Sequence, residues 1–113
     1  MSHLISLTSA AALTAAFRTD KENLLTSTLQ NQNVLPKCET FARAEIDDIL
    51  AQSGCTQLRI YYGLDSNSKV HALLVGANSE DEDILNNGND VCLVLQNAKR
   101  CPTDCPPSSS LNS

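Results

Sequence analysis

The chain has 113 residues, of which 42% are hydrophobic and 19% charged. That length supports one compact domain, and that composition excludes wholesale disorder, collagen-like repeats and a coiled coil. Aromatic residues are scarce, with two Phe, two Tyr and no Trp, so a core has to be built from Leu, Ile, Val and Ala. The net charge of −5 has a single origin. Between Ser79 and Asp90 stand Glu80, Asp81, Glu82, Asp83 and Asp90 with no Lys or Arg, and the remaining acids balance the basic residues. Phosphate backbones are bound by clustered Lys and Arg, and the longest basic run here is Lys99-Arg100, so a nucleic-acid partner is not expected.

In chain order, Thr8 or Ser9 can cap a first helix whose apolar positions Ala12, Leu13, Ala16 and Phe17 follow helical spacing, with Arg18 in its last turn. Thr19 or Asp20 can restart a helix through Leu24, Leu25 and Leu29, ended by the polar run from Gln30 to Asn33. Pro36 biases Leu35 toward an extended backbone, and the chain to Glu39 reads as a strand-like connector. Thr40 can then cap a helix at about 41–52, with Phe41 as a packing anchor. Its stripe of Ala42, Ile46, Ile49 and Leu50 should face the core, Arg43 and Asp47 pair one turn apart on the other side, and Gly54 stops it.

A hairpin at 57–64/69–77 follows, because Leu58, Ile60 and Tyr62 alternate with Arg59, Tyr61 and Gly63, and a second run rich in Val and Leu follows the turn Asp65-Ser66-Asn67-Ser68. With Asp65 and Ser68 as the turn ends, Tyr62 pairs with His71, Ile60 with Leu73 and Leu58 with Val75. The opposite face carries Arg59, Tyr61, Ala72 and Leu74. Because Tyr61 and Leu74 are apolar, either another segment or a partner should cover it, and Arg59, Tyr61 and Leu74 form a candidate interaction face. Val91 to Leu95 reads as a short strand or a helical turn. After Arg100, three prolines and a serine run give a tail with no regular structure. The expectation is one α+β domain over 1–100, with a small antiparallel sheet packed by N-terminal helices and the 41–52 helix, and a mobile Pro/Ser/Cys-rich tail over 101–113.

Catalytic chemistry is thinly represented. A Ser-His-Asp or Cys-His site needs His3 or His71. His3 lies near a terminus. His71, opposite Tyr62 in this register, stands seven residues along its strand from the position facing Cys55, roughly 20 Å or more, too far for a dyad. Its expected role is structural, with its ring packed on Tyr62. An EF-hand alignment with Gly88 in sixth place puts Leu85 third and Val94 twelfth, neither a calcium ligand of the required kind, so the acidic segment reads as a solvated loop.

Five cysteines fall short of a disulfide scaffold. Cys101 and Cys105 are the closest pair, and zinc halves use such spacing. Two further ligands would have to come from Cys55, Cys92, Cys38 or His71, which offer no second close pair. A disulfide or free tail thiols is the plainer reading, and a metal-binding or thiol-redox module using Cys101 and Cys105 with Cys55 or Cys92 is the alternative. There is no phosphate-binding loop, dinucleotide fingerprint or H-E-x-x-H. The N-terminus has no Lys or Arg before its apolar part, and no stretch reaches the length of a membrane span, so the cytoplasm is expected and a membrane partner is not.

The strings Leu58-Arg59-Ile60-Tyr61-Tyr62-Gly63-Leu64-Asp65 and Arg100-Cys101-Pro102 with Cys105-Pro106-Pro107, together with Glu39-Thr40-Phe41, Gly54-Cys55 and Val75-Gly76, resemble a family of small uncharacterised proteins from Bacteroidetes bacteria over roughly residues 35 to 107. Members of that family more often read Cys-Pro-Pro where this chain has Cys101-Pro102-Thr103. The resemblance implies no activity and supplies no catalytic residues, and the cofactor stays unknown. The reading that remains is a small acidic interaction or accessory protein, non-enzymatic, acting through a homodimer or a protein partner on the Arg59, Tyr61 and Leu74 face.

Overall fold

A computed structural model describes residues 3–85, 94–96 and 98–113. The fold is α+β: helix α1 (Leu7–Asp20), strand β1 (Cys38–Thr40), helix α2 (Arg43–Leu50), strands β2 (Cys55–Leu64), β3 (Val70–Asn78), β4 (Val94–Leu95) and β5 (Lys99–Cys101). β1 pairs with β5, and β2, β3 and β4 form a sheet in that order. The chain divides into two compact units, one of residues 1–38 and 100–113, the other of residues 39–99.

In the first unit, α1 is capped by Ser6, whose hydroxyl accepts from the Ser9 amide at 3.0 Å. The cap stands earlier than Thr8 or Ser9 because Ser9 supplies the donor three residues on. The helix runs through Asp20, so the expected second helix is reduced to two 3-10 turns, Lys21–Leu24 and Ser27–Leu29. Thr26, Ser27 and Thr28 favour local hydrogen bonds over helix. Lys21 is buried, and its ammonium donates to Glu22 Oε2 at 2.9 Å and to the Leu35 carbonyl at 3.0 Å. Glu22 is held below the usual carboxylate range, first by Lys21 and then by the Asn31 amide. Arg100 donates to the carbonyls of Asn33 and Val34, and Val34 and Cys101 are buried. The tail is tied down as well. Arg18 donates to the carbonyls of Leu111 and Ser113, both at 2.6 Å, and Cys101 and Cys105 are joined in a disulfide. No composition rule signals a single Arg18 reaching across more than ninety residues, which is why the tail read as mobile.

In the second unit, α2 starts later than expected, because Thr40 belongs to β1, and Ala42 occupies the cap position without a side-chain bond. Arg43 and Asp47 form the expected surface pair at 3.5 Å. Of the expected stripe, Ile49 is buried, Ile46 half-buried, and Ala42 and Leu50 exposed. Gly54, at φ 79°, provides the left-handed residue that turns the chain into β2. Gly76 of β3 lies beneath α2, where an added Cβ would stand 2.8 Å from Cys55 Sγ, 3.2 Å from Gln52 Nε2 and 3.4 Å from Ile49 Cγ2. Leu74, Val75, Gly76 and Ala77 are all buried, so this stretch of β3 is covered on both faces.

The hairpin forms with its turn where expected and its register one residue away. The Ser68 amide donates to the Asp65 carbonyl at 3.0 Å, as a four-residue turn requires. Ser68 then takes a left-handed conformation at φ 61°, and the Asp65 amide donates to the carbonyl of Lys69. That extra residue is the bulge of a three-residue hairpin loop, and it shifts every pair below it. The observed partners are Leu64 with Val70, Gly63 with His71, Tyr62 with Ala72, Tyr61 with Leu73, Ile60 with Leu74, Arg59 with Val75 and Leu58 with Gly76. β4 pairs Leu95 with Leu74 and Val94 with Val75, so the described part of the ambiguous 91–95 run is strand. Among the described residues no helix is long and apolar enough to cross a membrane.

Candidate functional site

One shift of register re-sorts the side chains, because facing residues share a side of the sheet. Arg59 and Tyr61 lie with His71, Leu73, Val75 and Ala77, whereas Leu58, Ile60, Tyr62 and Leu64 lie with Ala72, Leu74 and Gly76. The expected face of Arg59, Tyr61 and Leu74 is therefore split, and Leu74 is buried on the other side.

Arg59 and Tyr61 are held by the acidic segment. Asn78 caps a tight turn, its side-chain oxygen accepting from the amides of Glu80 and Glu82, and Asp81 takes the left-handed conformation within it. The turn brings Asp83 opposite Ala77. Asp83 thus shares the side of Arg59 and Tyr61, and its carboxylate accepts from Arg59 Nη1 at 2.6 Å and from the Tyr61 hydroxyl at 2.5 Å. Arg59 also pairs with Asp81. The hydrogen bond to Asp83 raises the Tyr61 phenol above its ordinary value, and the bonds from Tyr61 and Arg59 lower Asp83. In place of a solvated loop, half of the acidic segment forms a clasp on β2.

The edges of the sheet follow from the hydrogen bonds. The Ala72 amide donates to Glu39 Oε1 at 2.7 Å, the Gly76 carbonyl accepts from the Ile84 amide at 2.9 Å, and the Asn78 amide donates to the Glu82 carbonyl at 3.0 Å. The even-numbered main-chain groups of β3 therefore point away from β2. In an antiparallel ladder their partners on β2 do the same, so the N–H and C=O groups of Leu58, Ile60, Tyr62 and Leu64 point outward from an edge with no neighbouring strand among the described residues. The same residues carry an apolar row exposed by 41%, 49%, 77% and 69% respectively. Sequence alternation identified three members of this row, Leu58, Ile60 and Tyr62, as one face of the strand, opposite the candidate interaction face.

His71 does not pack on Tyr62. It faces Gly63, and its ring lies between two carboxylates, Nδ1 at 3.1 Å from Glu39 Oε2 and Nε2 at 2.8 Å from Asp65 Oδ2. A doubly protonated ring donates to both, a neutral ring to one. Asp65 also accepts from the amides of Lys69 and Asn67, and these bonds with His71 pull its carboxyl down to about 2. Beside it a cleft of about 330 Å³ is lined by Gly63, Leu64, Asp65, His71, Leu73 and Gln96. Both imidazole nitrogens are engaged by carboxylates, which leaves neither directed at a nucleophile.

The sulfurs of Cys101 and Cys105 are bonded to each other, with Cα atoms 4.5 Å apart, so neither offers a thiolate to a metal. Cys55 is a free thiol opposite Asn78, Cys38 is free, and Cys92, like Gly88 and Asp90, lies outside the described residues. Among the described residues no group of three or more His, Cys, Asp and Glu is placed to hold a metal ion. Comparison with protein-family models, with curated proteins and with solved structures finds no match for the chain.

Proposed function

We propose that the protein is a non-enzymatic interaction protein whose docking element is β2, and that it binds by accepting an extended strand along that edge. The observation that carries this reading is the coincidence, at Leu58, Ile60, Tyr62 and Leu64, of outward main-chain groups with an exposed apolar row. Edges left open in solution are ordinarily blunted by Lys, Pro, an inward charge or short length. β2 is ten residues long with no Pro or Lys, and its one charge, Arg59, is occupied by Asp81 and Asp83. Strand addition uses these two features, main-chain hydrogen bonds for affinity and alternate side chains for specificity. The acidic balance of the chain disfavours nucleic acid as the partner. The free thiols of Cys38 and Cys55 fit a cytoplasmic setting, while the Cys101–Cys105 bond is the feature that favours an oxidising one.

The test is amide hydrogen exchange on the full chain with and without a synthetic peptide of the sequence 57–65. The amides of Leu58, Ile60, Tyr62 and Leu64 should slow on adding peptide while those of Arg59 and Tyr61, already paired with β3, stay as they were. Unchanged exchange at all four, with no concentration of peptide or protein protecting them, removes the reading.

The Cys101–Cys105 bond supports a second reading, a thiol-redox module of that pair. Replacing both by Ser should then abolish reversible thiol titration of two equivalents per chain, and an unchanged titration removes that role.

A further inference from the structure

We infer that the strand β2 accepts is the β2 of a second copy, in an antiparallel pair centred on Tyr61. This rests on the strand-accepting reading above and names its partner.

The apolar row of β2 is symmetric about Tyr61 in position, with two apolar residues on each side. Leu58 is matched by Leu64, Ile60 by Tyr62, and Arg59 by Gly63. A two-fold axis at Tyr61 therefore places Leu58 against Leu64 of the second copy and Ile60 against its Tyr62, each twice. All of these residues have outward main-chain groups, so each facing pair exchanges two hydrogen bonds. One side of the joined sheet then carries a continuous apolar row from both copies. On the other side Arg59 faces Gly63, which sets no side chain against it, and Gln57 faces Asp65. No like charges meet directly, as cross-strand pairing requires. Moving the centre to Ile60 pairs Leu58 with Tyr62 but leaves Leu64 facing Thr56, so it uses the row less fully.

Asp83 does not oppose the approach. Asp83 stands in the row beyond β3, two strand spacings or roughly 10 Å from the β2 edge, and its charge is met by Arg59. On its far side β3 is met by Glu39, residues 82–84 and β4, so a pair of copies joins two three-stranded sheets into six strands.

Sedimentation equilibrium on the full chain, with disulfide trapping, tests this. The chain should be a concentration-dependent dimer, and Ile60→Lys, which sets an ammonium among apolar neighbours twice per dimer, should weaken it by roughly a hundredfold. Mild oxidation of Tyr61→Cys should link position 61 of the two copies, because facing Cα atoms at a non-hydrogen-bonded pair lie about 4.5 Å apart, within disulfide reach. Ile60→Cys should not link to itself, since its diagonal neighbour stands about 7 Å or more away. Peptide mapping separates these links from those of the native cysteines. A chain that stays monomeric while the 57–65 peptide still protects the even-numbered amides overturns the self-pairing and leaves strand acceptance standing. A dimer unaffected by Ile60→Lys, or trapped at position 60 in preference to 61, also overturns it.

Discussion

Along the β4 edge of the sheet, the Ala72 amide is met by Glu39, the Gly76 carbonyl by Ile84, the Asn78 amide by Glu82, and Leu74 and Val75 by β4, whereas along the β2 edge the corresponding groups of Leu58, Ile60, Tyr62 and Leu64 face outward. The contrast extends to side chains, since Leu74 to Ala77 are buried and the β2 row is exposed. An unpaired edge is a hazard for any soluble chain. A chain that spends a carboxylate, a capped turn and a short strand on one edge and leaves the other apolar has distributed its polar groups unequally, and the proposed docking at β2 rests on that inequality more than on the exposure of any single residue.

The largest effects belong to the closed half. Ile49 is buried against the Gly76 side of β3, and Ile49→Ala should cost about 2–5 kcal/mol in chemical denaturation, by lost burial and the cavity left behind. A loss under about 1 kcal/mol would mean that α2 does not cover the sheet as described. Glu39→Ala should follow, at about 1–3 kcal/mol, because it leaves the Ala72 amide without its acceptor at a half-buried site. The diagnostic readout is local: the Ala72 amide should exchange faster while that of Tyr61, bonded across to β3, should not. Equal acceleration at both would show that the two edges are not independently secured.

The parts of the fold legible in the sequence are those set by local contacts. The spacing of Ile46 and Ile49, the pair Arg43–Asp47, the alternation of β2 and the turn at Asp65 each rest on contacts within a few residues, and local pattern carries them. The register was not legible, because it depends on Ser68 taking a left-handed conformation that nothing about a serine announces. From that one residue follow the separation of Leu74 from Arg59 and Tyr61 and the placement of His71 opposite Gly63. The clasp was invisible for a different reason. Asp81 and Asp83 lie more than twenty residues from Arg59, and a charge run seen alone resembles any solvated loop. Alternation shows that a strand has two faces and is silent on which one the fold covers.

The clasp and the turn give the contrast a pH dependence. Tyr61 is raised above 10.0 in the folded chain, so its bond to Asp83 stabilises fully below pH 10.0 and is lost as pH rises through the folded value. Asp83 is lowered from 3.8, so its contribution is complete above that pH and is lost as pH falls through its folded value. Asp65, lowered from 3.8 to about 2, loses its contribution between those limits. The arrangement of β2 against the acidic turn should therefore hold from about pH 4 to about pH 10 and loosen at both ends. Titration of Tyr61 by NMR checks it: Asp83→Asn should bring the phenol back toward 10.0, and an unmoved titration would detach Tyr61 from the acidic turn.

The smallest expected effect discriminates best between the edges. Ile60→Lys and Tyr62→Lys exchange exposed side chains on a strand whose other bonds are intact, so the folding stability of the single chain should change by no more than about 0.5 kcal/mol. The measurement has to be made at protein concentrations where no association occurs, because any dimer adds its own binding energy to the apparent stability. Under those conditions Ile60→Lys should match the unsubstituted chain, while at high concentration the unsubstituted chain alone should gain stability with concentration. A large loss in the dilute chain would mean that Ile60 belongs to the fold's own core, and the open edge would then be no more available than the closed one. A stability independent of concentration in both chains would leave the edge open but without a second copy to fill it.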